Sequence, residues 1–136
     1  MVLLSGCSGM ICAQTLDVHI TNIRNTKGQL CLAIFADETG FKAEKPCWEM
    51  KCSKKDIVNG EFRIQIPIQK WKWGFSVLDD ENGTGKMEYN LFGIPRKGFG
   101  FSDYYQKGLF KPHFDDFSFY VKKNEIKNLI IRMKYF

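Results

Sequence analysis

Apolar side chains recur at every second position along most of this chain, and this period of two constrains its fold more than any other feature. Alternation of apolar and polar residues is typical of a strand with one buried face and one solvated face. The pattern predicts six strands, at 16–20, 30–35, 62–68, 73–77, 117–121 and 129–133. Trp48–Cys52 supplies a seventh, shorter candidate.

A chain of 136 residues has room for one domain with one core. Evidence for helix is confined to a short turn at 41–45, just before Pro46. Many short strands joined by Gly and Asn turns favour two sheets packed face to face. We therefore expect an all-β fold, a single antiparallel β-sandwich of about seven strands.

One long segment, 80–114, departs from the strand pattern and contains six of the 12 glycines. Connections of this length in a small domain are usually functional or disordered. This one is rich in Phe and Tyr, which disordered segments lack. The composition predicts a long, structured loop folded over the sandwich.

The loop opens with the pattern D-x-N-x-T-G-x-x-E, which resembles part of a calcium-binding loop. Calcium prefers several oxygen ligands from a tightly curled chain. Asp80, Asn82, Thr84 and Glu88 offer side-chain oxygens, and Lys86 offers its carbonyl. These five residues form a candidate site for one calcium ion.

The same letters also describe a metal-free turn, since Asp-Glu-Asn-Gly closes hairpins without an ion. The position of the strongest ligand in such a loop, a bidentate Glu at the twelfth place, is occupied by Leu91. A carboxylate from Asp79, Asp103 or Asp115 could substitute for it. Both alternatives stay open from the sequence.

Three stretches carry a resemblance to a known family: residues 79–88, Leu91–Pro95 and Lys97–Ser102. Together they resemble the DUF2141 family of exported bacterial proteins of unknown function. The resemblance extends more loosely to the early strand at 30–35 and to the closing strands. It implies a transthyretin-like (prealbumin-like) or immunoglobulin-like sandwich and an exported protein, and it implies no activity.

Four residues depart from the pattern of that family. Asp79 stands where the pattern has His, Thr84 where it has Asn, and Glu88 where it has Asp. Thr and Glu keep oxygen donors in the candidate ion loop. Lys97 replaces a Glu, which removes a carboxylate that could have joined the site.

The first 13 residues are apolar and small, which is typical of the end of an export signal. Leu4–Cys7 resembles a bacterial lipobox, which would make Cys7 a lipidated first residue. Cleavage after Ala13 is the alternative, so we expect a leader at 1–13 and the folded domain at 14–136. The protein would then be periplasmic, anchored to the outer membrane or secreted.

Export to an oxidising compartment permits disulfides. Cys31, Cys47 and Cys52 remain inside the expected domain, and none shows the spacing of a zinc or thioredoxin motif. Cys47 and Cys52 would lie too far apart on one extended strand to pair. We expect a bridge from Cys31 to Cys47 or Cys52, with three free thiols as the alternative.

Aromatic residues crowd the second half of the long loop. A ligand or partner could bind there, at the residues Phe99, Phe101, Tyr104, Tyr105 and His113. The alternative is a hydrophobic anchor that holds the loop against the sandwich.

The predicted function is an exported, non-enzymatic binding or structural module, with calcium as its candidate cofactor. Its partner would be a protein or saccharide of the cell envelope, and it would meet a membrane only through a lipid anchor. The net charge of +5 is spread over many strands and turns, which argues against nucleic acid. The alternative is a small hydrolase or carbohydrate-active domain that uses Asp79, Asp80, Asp103 or His113.

Overall fold

The structure, a computed structural model, describes residues 14–105, 108 and 111–136. The expected leader, its lipidation at Cys7 and cleavage after Ala13 lie outside these residues. The described elements are eight strands and two short helices, which confirms the all-β class. They are β1 (Thr15–Thr21), β2 (Gln29–Phe35), α1 (Glu38–Lys42), β3 (Trp48–Ser53), β4 (Phe62–Pro67), β5 (Trp71–Asp80), β6 (Gly98–Phe101), α2 (Phe114–Phe117), β7 (Ser118–Val121) and β8 (Ile126–Arg132).

The strands form two sheets. One has the order β4-β1-β8, and the other has the order β3-β2-β5-β6, with β7 also paired to β5. All pairings are antiparallel except that between β1 and β8, which is parallel. The expected antiparallel arrangement therefore holds at every pairing but this one. Parallel neighbours need a long crossover, and the whole second sheet supplies it between β1 and β8.

The core lies between the two sheets and is made by the alternating residues that the sequence predicted. In β1, Leu16, Val18 and Ile20 are all fully buried. They join one cluster with side chains from the facing sheet, including Leu30 and Phe75. A buried side chain of this size contributes about 1.5–3 kcal/mol to folding, so this alternation is the main source of stability.

A second cluster packs the long loop against the outer side of the five-stranded sheet. Its buried members are all phenylalanines: Phe35, Phe41, Phe101, Phe114 and Phe117. The predicted helical turn before Pro46 lies at this cluster as α1, which begins earlier than expected. Its start is fixed by Asp37, whose carboxylate accepts a hydrogen bond of 2.7 Å from the Gly40 amide.

Strand β6 was not predicted, because it is half glycine. A Cβ at Gly98 would overlap the Tyr135 ring, and one at Gly100 would lie 2.6 Å from Ile131 Cγ2. The two glycines therefore let β6 approach the C-terminal segment closely. The Phe99 amide also donates to the Lys134 carbonyl at 3.0 Å. This bond joins β6, the edge strand of the five-stranded sheet, to the segment that follows β8 of the other sheet.

The expected disulfide is not formed, and Cys31, Cys47 and Cys52 are free thiols. The strand register explains this result. Leu30 lies opposite Cys52, so the Cys52 side chain points to the same face as Leu30, whereas Cys31 points to the other face. The Cys47 thiol is exposed, just ahead of β3.

No helix among the described residues is long and apolar enough to cross a membrane.

Candidate functional site

The candidate ion loop begins at the end of β5, where two acidic residues are fully buried. Asp79 lies opposite Leu30 and Asp80 lies opposite Gln29, so successive positions of β5 place the two carboxylates on opposite faces of the sheet. A buried carboxylate is costly unless it is hydrogen-bonded and paired with a cation. Each of the two has its own set of partners.

Asp80 accepts three strong hydrogen bonds. The donors are Lys97 Nζ at 2.7 Å, Gln29 Nε2 at 2.7 Å and the Gly85 amide at 2.8 Å. Burial acts to raise the pKa of this carboxyl, but the hydrogen bonds from Lys97, Gln29 and Gly85 outweigh it and lower the pKa to about 2. Asp80 is therefore ionised at neutral pH.

The Lys97 ammonium lies inside the loop, and its side chain is only 4% exposed. Besides Asp80, it donates to Thr84 Oγ1 at 2.6 Å and to the Lys86 carbonyl at 2.7 Å. These bonds use all three of its N–H donors. Glu88 Oε2 lies 4.0 Å away. We call this arrangement the lysine cradle: Lys97 surrounded by Asp80, Thr84, Lys86 and Glu88.

The lysine cradle contains four of the five residues that the sequence predicted as calcium ligands. The fifth, Asn82, stabilises the loop itself, since its Oδ1 accepts from the Thr84 amide at 3.3 Å and its Nδ2 donates to Glu88 Oε1 at 3.1 Å. Gly83 and Gly85 have φ of 76° and 82°, which lets the chain curl around the ammonium.

The carboxylates proposed as substitute ligands lie elsewhere. Asp79 is on the other face of β5, Asp103 Oδ1 accepts from the Ile130 amide at 3.4 Å, and Asp115 pairs with Lys72 at 3.0 Å. Among the residues that the structure describes, no group of three or more His, Cys, Asp or Glu side chains could hold a metal ion.

Asp79 has a second buried lysine as its partner. Lys54 Nζ donates to Asp79 Oδ1 at 2.5 Å and to Asn25 Oδ1 at 2.8 Å, and both ionic side chains are fully buried. The Tyr135 hydroxyl donates to Asp79 Oδ2 at 2.5 Å. Burial, together with this bond, raises the pKa of Tyr135. The Arg24 guanidinium lies 4.6 Å above the Tyr135 ring and covers this network.

Residues 86–97 form a narrow projection, which we call the presentation loop. Near its base the Arg96 amide donates to the Glu88 carbonyl at 2.7 Å, and Tyr89 pairs with Pro95. The lysine cradle joins the two ends, because Lys97 Nζ bonds the Lys86 carbonyl.

The turn of the presentation loop is organised by Asn90. Its Oδ1 accepts from the Phe92 amide at 2.8 Å and from the Ile94 amide at 3.0 Å. The two residues inside this turn, Leu91 and Phe92, are 100% and 86% exposed. We call Leu91 and Phe92 the apolar tip. Exposed apolar residues are common one at a time, whereas contiguous exposed apolar surface marks interaction sites, and Leu91 and Phe92 are exposed side by side.

The five residues predicted to form an aromatic ligand site lie in different environments in the structure. Phe101 is buried in the phenylalanine cluster, and Phe99 and Tyr104 pack against that cluster. Tyr105 lies under Arg132, at 4.6 Å from its guanidinium carbon. His113 is exposed and precedes α2, where its backbone amide bonds Asp116. The first three residues thus act as a hydrophobic anchor, and ligand binding by this set remains a prediction.

An open cleft lies at the start of β5 and the end of β7. It has a volume of about 370 Å³ and is lined by Lys70, Trp71, Lys72, Tyr120 and Val121. Trp71 and Tyr120 are 60% and 65% exposed. The aromatic faces and the two lysines offer contacts to a ligand with apolar faces and negative charge.

Sequence reasoning located the acids of this site but missed both lysines. Lys54 sits in a polar stretch, Ser53–Asp56, and Lys97 follows Arg96, so both resemble ordinary surface residues. The available signal was the pair Asp79–Asp80 at the end of an apolar strand. Two carboxylates in such a position each require a cation from elsewhere in the chain.

Comparison with known proteins returns one family. The model of a family described as an uncharacterized protein conserved in bacteria (DUF2141) matches residues 18–128, which include strands β2 to β7, the lysine cradle and the presentation loop. No curated protein and no solved structure matches the chain.

Proposed function

We propose that this chain, which belongs to the DUF2141 family of unknown function, is an exported, non-enzymatic binding module that presents its apolar tip to a partner in the bacterial envelope. One observation carries the proposal. The Lys97 ammonium bonds Asp80, Thr84 and the Lys86 carbonyl, and so fixes the base of the loop that displays Leu91 and Phe92.

In this proposal Lys97 supplies the positive charge that the sequence pattern assigned to calcium. The ammonium offers three directed donors to the same carboxylate, hydroxyl and carbonyl oxygens that a calcium ion would use. A cation that belongs to the chain is always present, so the shape of the loop does not depend on calcium concentration.

An ordered loop favours binding because its conformational entropy is lost during folding and not during association. The lysine cradle holds the base of the loop, and the two hydrogen bonds to Asn90 Oδ1 hold its turn. Leu91 and Phe92 are therefore displayed in one arrangement before any partner arrives. Their exposure to water makes removal from water favourable.

The rival proposal, a hydrolase or carbohydrate-active domain, requires carboxyl groups that a substrate can reach. Asp79 and Asp80 have fully buried side chains, and each is engaged by a lysine. Asp103 and His113 are exposed, Asp103 beside β8 and His113 at the start of α2. The burial and pairing of Asp79 and Asp80 favour a binding module over an enzyme that uses these two acids.

A second candidate function, saccharide binding, is favoured by the cleft at Trp71 and Tyr120. Aromatic faces stack on sugar rings, and the Lys70 cation suits an acidic sugar. Titration of the protein with a polyuronate oligomer tests it, with a neutral dextran oligomer as the control ligand. Trp71→Ala should abolish polyuronate binding, and binding that is unchanged in this variant would exclude the cleft.

The main proposal is tested by co-sedimentation of the protein with bacterial envelope fragments. We compare the wild type with a tip variant, Leu91→Ser/Phe92→Ser. The matched control is Val58→Ser/Ile130→Thr, because Val58 and Ile130 are also exposed apolar residues, at 69% and 60%. The tip variant should lose binding and the control should keep it. Equal sedimentation of all three proteins, or of none, would refute the proposal.

A further inference from the structure

We propose that the partner of the apolar tip is a lipid bilayer surface that contains anionic phospholipid. This inference rests on the proposed function, since it names the partner that the tip would contact. Leu91 and Phe92 stand at the end of the presentation loop, and the cationic residues Lys86 and Arg96 lie exposed on its two legs. Apolar side chains flanked by cations are typical of segments that enter the interface of an anionic membrane.

The charges around the loop are arranged to leave the cations free for a partner. Among the residues that the structure describes, Lys86, Arg96 and the neighbouring Lys51 take part in no ion pair. Lys51 belongs to the same surface, because its Nζ lies 3.4 Å from the position that a Cβ of Gly85 would occupy.

Two of the three acids of the same region, in contrast, have a cation of their own within the protein, and the third, Glu88, shares the Lys97 ammonium with Asp80. Asp80 is paired with Lys97, and Glu81 is paired with Arg24 at 2.7 Å. Glu88 lies 4.0 Å from the Lys97 ammonium. The surface beside the apolar tip is therefore positive, which is complementary to phosphate headgroups.

The hydrogen bonds of the turn also fit a lipid environment. A segment that leaves water for the interface loses the water bonded to its backbone, and unpaired amides then carry a large cost. Four amides of this turn are already paired inside it. Phe92 and Ile94 donate to Asn90 Oδ1, Gly93 donates to the Asn90 carbonyl, and Asn90 donates to the Ile94 carbonyl. The turn can thus enter the headgroup region without breaking these bonds.

A groove on a protein would also accept Leu91 and Phe92, but the observations favour the bilayer. The tip has two highly exposed apolar side chains, and the exposed cations Lys86 and Arg96 lie one on each leg of the loop behind it. A protein groove would need matching acids at defined positions, whereas anionic headgroups rearrange around any set of cations. The protein partner is therefore an outcome of the test.

The test measures sedimentation of the full chain with vesicles of phosphatidylcholine alone and of phosphatidylcholine mixed equally with phosphatidylglycerol. All proteins carry Cys7→Ser, so that no acyl chain at that position contributes. We expect binding to the mixed vesicles that weakens with salt, and little binding to phosphatidylcholine alone. Leu91→Ser/Phe92→Ser should lower the partition coefficient by about tenfold or more, the factor expected for partial burial of two such side chains.

Two further variants separate the contributions of charge and apolar contact. Lys86→Glu/Arg96→Glu should abolish the preference for phosphatidylglycerol, while Val58→Ser/Ile130→Thr should bind like the wild type. Circular dichroism confirms that each variant is folded. Phe92→Trp gives a second measurement, because its added fluorescence should shift to shorter wavelength on mixed vesicles.

The outcomes distinguish this inference from the function it rests on. Tip-dependent binding to envelope fragments without binding to vesicles would overturn the lipid proposal and point to a protein or saccharide partner. Vesicle binding that survives substitution of the tip would overturn it as well. Failure to bind either envelopes or vesicles would refute the proposed function itself.

Discussion

Asp79 and Asp80 are neighbours in the chain, yet their carboxylates accept hydrogen bonds from two different buried lysines, Lys54 and Lys97, on opposite faces of β5. Lys54 directly follows β3 and Lys97 directly precedes β6, so strand β5 is joined through its last two residues to both of those segments. The two ion pairs hold the end of the sheet from which the presentation loop emerges.

The first prediction concerns the contribution of the Lys97–Asp80 pair to stability. Lys97→Met should lower the free energy of unfolding by about 3–5 kcal/mol, because it leaves the buried Asp80 carboxylate without its cation. Asp80→Asn/Lys97→Met should recover most of this loss, since a neutral pair carries no unpaired charge. Urea unfolding measures both.

The matched control for this substitution is Lys86→Met. The Lys86 side chain is exposed, and only its carbonyl belongs to the lysine cradle, so its stability should change by less than about 0.5 kcal/mol. A Lys97→Met variant as stable as this control would show that Asp80 does not depend on the ammonium.

The second prediction uses Lys97, one of the four departures from the pattern named above, to create a metal site. Lys97→Glu replaces the internal cation with a carboxylate beside Asp80, Thr84 Oγ1 and the Lys86 carbonyl. These oxygens suit calcium. Millimolar calcium should raise the melting temperature of this variant relative to chelator. Calcium at ten times its Kd would add about 1.4 kcal/mol to the free energy of unfolding.

The wild type should melt at the same temperature with calcium and with chelator, because its cradle already contains an ammonium. Asp80→Asn/Lys97→Glu serves as the control, since it removes one carboxylate and should respond less to calcium. A calcium-dependent shift in the wild type would contradict the role given to Lys97 and restore the calcium site predicted from the sequence.

The third prediction follows from the low pKa of Asp80, which is about 2 in the folded protein. In the unfolded chain Asp80 has its ordinary, higher pKa, so the unfolded state takes up a proton first as the pH falls. The stabilisation is therefore complete above the unfolded pKa and is lost between about pH 5 and about pH 2, amounting to about 2 kcal/mol.

Urea unfolding across this pH range tests the third prediction. Asp80→Asn/Lys97→Met lacks the titrating group and should lose about 2 kcal/mol less than the wild type over the same interval. Parallel pH profiles for the two proteins would show that Asp80 titrates alike in the folded and unfolded states.

The outcome for the strands shows what a sequence pattern can predict. The seven predicted strands form because each has one face in the core, and this leaves a period of two in the sequence, as in Leu16, Val18 and Ile20. Strand β6 has no such pattern. Its glycines are required because Tyr135 and Ile131 pack closely against them. These two residues lie more than 30 residues further along the chain, so no local sequence pattern predicts the contact.

The candidate site divides in the same way. The spacing of Asp80, Thr84, Lys86 and Glu88 is local, so the sequence offered these oxygens as candidate ligands of a cation, with a metal-free turn as the alternative. The cation itself comes from Lys97, which lies 17 residues beyond Asp80. A lysine is usually exposed, so only the fold distinguishes this one from its neighbour Arg96.

The fourth prediction concerns the close approach of Gly98 to Tyr135. Gly98→Ala should lower the free energy of unfolding by about 1–3 kcal/mol, because its methyl group overlaps a ring that the bond to Asp79 holds in place. The cost of Gly98→Ala should be smaller in a Tyr135→Ala background, where the ring is absent. A double-mutant cycle by urea unfolding measures this coupling, and additive effects would exclude it.

The fifth prediction concerns the free thiols of Cys31, Cys47 and Cys52. At neutral pH Cys47, which is exposed, should react with iodoacetamide well before Cys31 and Cys52. Burial raises the pKa of Cys52. Burial is the main cause, and repulsion from the Asp80 carboxylate the second, of the rise in the pKa of Cys31 to about 11. At neutral pH only a very small fraction of Cys31 is therefore the reactive thiolate. Mass spectrometry of the labelled peptides reads each position separately.

Two comparisons show whether the fold causes these differences in thiol reactivity. In concentrated urea the three thiols should react at similar rates, because burial and the proximity of Asp80 are lost. In the folded protein Asp80→Asn should accelerate labelling of Cys31, whose Sγ lies 3.8 Å from Asp80 Oδ2, and should leave Cys47 unchanged. Equal rates at the three positions in the folded wild type would contradict the placement of Cys31 and Cys52 within the sheet.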